Sequence, residues 1–167
     1  MKKENKIKVE YEKGRGLREK LVLWILEKGA PLHYHLCNSR MAWNLNSDDL
    51  ILFPPKSLGH TLGCFYKTNG FEPVPKAERH DVFHVLLGYS TDVIDEAAMQ
   101  FFLLGNGKIS PFTLGTVVIC TIFFPFQWKV FRDAFIKGKQ ATCISEWDFK
   151  LLLTEETEKL KRQILKQ

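Results

Sequence analysis

The 167-residue chain has four cysteines (Cys37, Cys64, Cys120 and Cys143) and no Cys-x-x-Cys pair among them. So scattered a set excludes a disulfide framework or a thiolate zinc knot, and predicts small buried side chains in a reducing compartment. An apolar run of the ~20 residues that a bilayer span requires is also missing. The longest uninterrupted stretch, Leu114 to Phe126, has about thirteen residues, and Pro125 should break it. The first twenty residues are charged and have no apolar core, so neither a signal peptide nor a transmembrane helix is expected. Alternating strand patterns, internal repeats and low-complexity tracts are absent. No basic stripe is interleaved with aromatics, so nucleic acid is not an expected partner.

What is present points to an all-α, single-domain helical bundle. The chain is 45% apolar and 26% charged, a composition of folded globular proteins, and it is long enough to bury a core unaided. Residues 1–15 read as a flexible charged terminus and 16–167 as one helical domain. The net charge of +5 is concentrated at the two ends. Those runs serve either solubility or attraction to anionic headgroups. The expected location is the cytoplasm, with peripheral contact on the inner face of the membrane.

Leu17 to Lys28 has helical spacing and ends at Gly29. Between residues 31 and 56, prolines and asparagines predict short helices and turns; His33 and His35, two apart, read as loop histidines. Ser57 should cap a helix running to Asn69, with Gly70 ending it. A helix from about Lys76 to Leu87 should stop at Gly88, and the next, about Asp92 to Leu104, should be capped by Ser90 or Thr91. Ser110 followed by Pro111 starts the most hydrophobic helix. Its default place is a buried centre; the alternative is a surface that meets lipid. Trp128 to Lys137 should be an amphipathic helix closed by Gly138, and two helical pieces, Cys143 to Leu153 and Thr154 to Gln167, complete the chain.

The chemical signal lies in His80-Asp81-Val82-Phe83-His84, followed after eleven residues by Glu96. On a helix His80 and His84 are one turn apart on one face, and Asp81 lies about 100° round from His80. A reversal at Gly88 would bring Glu96 alongside. Two imidazoles and two carboxylates make a candidate site for zinc, iron or manganese, with His80, Asp81, His84 and Glu96 as ligands acting in catalysis through the metal. The plainer reading is a polar helix pair. The His-Asp dipeptide is also found in metal-dependent HD phosphohydrolases, for which His60 and Asp133 would be the remaining ligands.

The run Glu78 to Tyr89 with Glu96 following resembles the His-Asp-x-x-His, eleven residues, Glu signature of the coenzyme Q biosynthesis protein 4 family. The stretches Leu58-Gly59 to Gly70-Phe71, and Gly138-Lys139-Gln140-Ala141 through Trp147, are similar to that family's flanking segments. The resemblance spans roughly Ser39 to Ile164. It implies an all-helical fold, a zinc or similar ion on His80, Asp81, His84 and Glu96, and a role in ubiquinone biosynthesis. The implied activity is oxidative decarboxylation of a polyprenyl-hydroxybenzoate by a metal-dependent carboxy-lyase. The implied partners are a prenylated aromatic precursor or other isoprenoid lipid and other quinone-synthesis proteins. A non-catalytic, lipid-binding scaffold is the alternative within the same family. The apolar stretch Leu114 to Phe126 would then wall the prenyl tail.

Overall fold

Local signals set several of the helix ends. Ser57 Oγ accepts from the His60 amide, and Gly70 ends the helix in the left-handed region at φ 65°. Gly88 does the same for the next helix at φ 75°. Ser110 Oγ accepts from the Thr113 amide, with Pro111 in the first turn. The computed structural model describes residues 16–25 and 41–166. Residues 17–25 are helical. After them come α1 (Ser47–Ile51), α2 (Leu58–Asn69), α3 (Glu78–Leu87), α4 (Val93–Gly105), α5 (Pro111–Phe123), a 3-10 turn (Pro125–Gln127), α6 (Trp128–Gln140) and α7 (Thr157–Leu165). Among the described residues there is no β-strand, and the fold is all-α. The expectations for the flexible terminus, for the stop at Gly29, and for His33, His35 and Cys37 fall outside the described residues.

α4 is the central helix. Ala97, Ala98, Met99, Gln100, Phe101, Phe102 and Leu103 are all buried, as suits a helix enclosed on nearly every side. It packs on α5 and α6, while α3 packs against α2, α4 and α7. Each large apolar side chain buried in this way contributes about 1.5–3 kcal/mol. The closest approach is between α4 and α6. A Cβ on Gly138 would strike the Phe102 carbonyl oxygen, and one on Gly105 would strike that of Phe135. Gly138 is therefore not the helix end expected from sequence. The helix runs on to Gln140 because the glycine serves backbone contact.

Two further expectations are corrected. Asp92, and neither Ser90 nor Thr91, is the N-cap of α4, with Asp95 Oδ2 accepting from the Ser90 amide at 2.9 Å. Residues 143–153 contain turns and no α-helix. Their carbonyls have another donor: the Arg79 guanidinium bonds Ile144, Ser145 and Trp147. Asn106 adds to this, donating to Gly138 and Thr142 and accepting from the Ile144 amide.

α5 is turned the opposite way from a central core helix. Its buried side chains are Thr113, Thr116 and Cys120, while Leu114, Val118 and Ile122 face outward. Pro125 breaks the chain as expected, and α5 meets the following helical segment at 106°. Phe126 stands 92% exposed at that elbow. The small polar face fits against α4 and the branched apolar face is left outside, so α5 is not the buried central helix of the default expectation. No single helix among the described residues is long and apolar enough to cross a membrane.

Candidate metal centre

α3 carries His80 and His84 one turn apart, and the reversal at Gly88 brings the first turn of α4 alongside with Glu96. The three converge. His84 Nε2 lies 3.1 Å from Glu96 Oε2, His80 Nε2 lies 3.4 Å from the same oxygen, and the two imidazole nitrogens are 3.2 Å apart. Ligands held tetrahedrally at zinc distances of 2.0–2.1 Å would be about 3.3–3.4 Å from each other, so this spacing is that of one coordination sphere.

The His84 imidazole is fixed from behind. His84 Nδ1 is 3.0 Å from the Tyr89 carbonyl oxygen, which can only accept, so Nδ1 carries the hydrogen. In the neutral ring Nε2 then presents a lone pair to Glu96. Only a proton or a metal cation between them makes that contact favourable. The Phe65 ring stacks on His84 at 5.7 Å and 14°, closing another side. Gln100 Nε2 donates to Glu96 Oε1 at 3.2 Å and leaves Oε2 for the histidines. This pattern, in which ligand atoms point inward and their far sides are hydrogen-bonded, is how proteins orient metal ligands. His80 Nδ1 is buried without a hydrogen-bond partner.

The electrostatics agree with a site built for positive charge. Burial opposes ionisation of Glu96, yet the charges and hydrogen bonds of His80 and His84 hold its carboxyl well below the usual range. Burial likewise opposes charging of His84, but Glu96, the Tyr89 carbonyl and Asp81 push its imidazole up. Asp81 behaves differently. Burial raises its carboxyl, against the pull of His80, the Tyr66 hydrogen bond and His84, and Glu96 adds to the rise. Its Oδ2 accepts from the Tyr66 hydroxyl at 2.6 Å. Burial, reinforced by Asp81, drives that hydroxyl far above the ordinary phenol range, so it stays a donor.

Of the four ligands expected from sequence, His80, His84 and Glu96 come together as a possible metal-binding group. Asp81 lies on the same helix with one oxygen engaged by Tyr66. His60 and Asp133, the residues the phosphohydrolase reading requires, do not join the group. The ring of His60 faces Cys64, and Asp133 pairs with Arg132 on the exposed side of α6. Sequence reasoning missed Phe65, Tyr66 and Gln100. Gln100 stands four residues after Glu96, a spacing that could have drawn attention to it; the α2 residues gave no such signal.

No family model and no curated protein matches the chain. A solved structure does: the "putative ubiquinone biosynthesis protein" of Nostoc punctiforme aligns with a TM-score of 0.58 over 89% of this chain and 81% of that one. The sequences are 19% identical over the match. The likeness shows the fold.

Proposed function

We propose that the chain binds a divalent ion through His80, His84 and Glu96 and acts in ubiquinone synthesis on a prenylated aromatic acid. The observation that carries the reading is the convergence of three ligand atoms, with the His84 tautomer set by Tyr89 and the Glu96 carboxylate oriented by Gln100. The Nostoc punctiforme structure supports the quinone assignment through its fold and name. The resemblance of residues 78–96 to the quinone-synthesis family supports it from sequence.

In this reading Asp81 is the fourth ligand. Its Oδ2 accepts from the Tyr66 hydroxyl, and its carboxylate stands outside the group of three ligand atoms that converge, so it would have to turn to reach the ion. When bound, the ion supplies Lewis-acid stabilisation of negative charge on the substrate carboxylate or neighbouring phenol oxygen. The reaction replaces the ring carboxylate of a polyprenyl-hydroxybenzoate by a hydroxyl. Carbon dioxide leaves, and a two-electron oxidant provides the oxygen atom. The chain's own residues hold the site in place for this. His84 and Glu96 are nearly enclosed, so the charges they present act in a medium that screens them less than water does. The outward face of α5 (Leu114, Val118 and Ile122) supplies apolar surface for the prenyl tail or the membrane that carries it.

The first test is elemental analysis of purified protein. Wild type is expected to hold about one zinc, iron or manganese per chain, and His84→Ala to hold none. Asp81→Asn beside them shows whether that carboxylate is a ligand. Wild-type protein without metal would reduce the site to a protonated His-Glu cluster and remove the catalytic reading. Release of carbon dioxide from a prenylated hydroxybenzoate, lost in Glu96→Ala, would establish the activity. Bound metal and bound lipid without turnover would leave the lipid-presenting scaffold as the function.

A further inference from the structure

Gln100 is completely buried on a helix whose neighbouring positions are Met99, Phe101, Phe102 and Leu103. An amide there is not needed for packing. Methionine or leucine would fill similar space, and leaving the amide unpaired would cost about 1–3 kcal/mol. It is paired at both ends. Nε2 reaches Glu96 Oε1 at 3.2 Å, and Oε1 accepts from Thr113 Oγ1 of α5 at 3.1 Å. Thr113 is itself fully buried, and its hydroxyl lies 3.0 Å from Ser110 Oγ.

Donor counting fixes the direction of the chain. Ionised Glu96 can only accept, so Gln100 must turn its NH2 to it and its carbonyl to Thr113. Thr113 spends its single hydroxyl hydrogen on that carbonyl. Its oxygen then accepts from Ser110 O–H, while Ser110 Oγ accepts from the Thr113 amide at 3.1 Å. Every link therefore has one sense, from the N-terminus of α5 to the carboxylate. A flipped amide would set its carbonyl against Glu96 and break the chain.

We propose that Gln100 is a positioning residue of the metal site, locked by Thr113 and Ser110 of α5 so that Glu96 presents Oε2 to the ion beside His80 and His84. The inference rests on the metal reading above. It adds to that reading that α5, which contributes no ligand, sets the geometry of the ligand group.

The test measures binding of the metals alone, by competition of Zn2+ against a chromophoric chelator and by the visible spectrum of the Co2+-loaded protein. Gln100→Leu is expected to weaken Zn2+ binding by about 10–100-fold, the usual effect of removing a hydrogen-bond partner of a ligand. The Co2+ bands should shift in position and intensity, a readout that the lower melting temperature expected from the unpaired Thr113 hydroxyl does not by itself move. Thr113→Val, which leaves Gln100 in place without its anchor, should move both readouts in the same direction by less, and Thr113→Ser should restore them. If Gln100→Leu does not fold, the Thr113 pair decides. Wild-type affinity and an unchanged Co2+ spectrum in a folded variant would overturn the positioning role alone. Failure of the wild type to bind either metal would overturn this role and the metal reading together.

Discussion

Lys108 shows how a single side chain can carry a folding cost in this molecule. Its ammonium lies 5.1 Å from the Phe83 ring centroid, which offers only a weak cation–π attraction. Burial, with the nearby Arg79 charge, brings its pKa down to about 8, and Glu96 opposes the fall only in part. A free lysine titrates near 10.4. Between these values the unfolded chain binds more protons than the folded one, so stability should rise with pH from about 8 to about 10. Cys120, pushed up to about 12 by burial and by Glu96, acts in the opposite sense above its ordinary value, as do Tyr66 and Tyr89. They titrate alike in a Lys108→Met variant, so the difference between the two proteins isolates the lysine. Urea midpoints at pH 7.5 and 9.5 should show the variant's advantage shrinking as pH rises. A constant difference would mean that the amine is solvated.

Among the elements, the contact between α4 and α6 has the least tolerance. Gly138→Ala would force a methyl group into the Phe102 carbonyl, and overpacking of this kind costs about 1–3 kcal/mol. The melting temperature should fall by roughly 2–4 °C per kcal/mol in a chain of this size, read by thermal denaturation. Metal binding should change little, since α6 gives the site neither a ligand nor a link in the Ser110–Thr113–Gln100–Glu96 chain; an unchanged melting temperature would mean that the helices can move apart. The same glycine marks the limit of reading helices from sequence. Ser57, Gly70, Gly88 and Ser110-Pro111 act on their own backbone, so their effect was legible. Gly138 acts on another helix, and its usual meaning as a stop misled. Residues 143–153 failed for a related reason, because Arg79, more than sixty positions away, takes the carbonyls a helix would use. In the site, His80, His84 and Glu96 followed from spacing on two adjoining helices. The Thr113 to Gln100 link crosses between helices and left no periodic trace.

At the scale of the whole molecule, the apolar ridge of α5 and the elbow after it set the chain apart from an ordinary globular bundle. Leu114, Val118, Ile122 and Phe126 are exposed on it, with Trp128, Lys129 and Arg132 close by in sequence on the exposed start of α6. Exposed apolar surface with Lys129 close by in sequence would suit an anionic bilayer, where a basic side chain near the surface adds about 1 kcal/mol, whereas Arg132 is paired with Asp133. Wild-type protein should sediment with phosphatidylglycerol-containing vesicles and be released by salt, whereas a Val118→Asp/Ile122→Asp variant should stay in the supernatant. Equal sedimentation of the two would remove this face from the membrane reading.

The last part of the chain also completes one of the first helices. The opening amides of α2, Leu58 and Gly59, donate to the carbonyls of Glu155 and Leu153, and the Thr157 amide returns to Lys56. A helix start left without acceptors is incomplete. During synthesis, the Leu58 and Gly59 amides therefore turn to water until about a hundred further residues have emerged. This contact closes only after residues 153–157 have emerged, and a nascent chain stalled in α6 would still display an open, protease-accessible end.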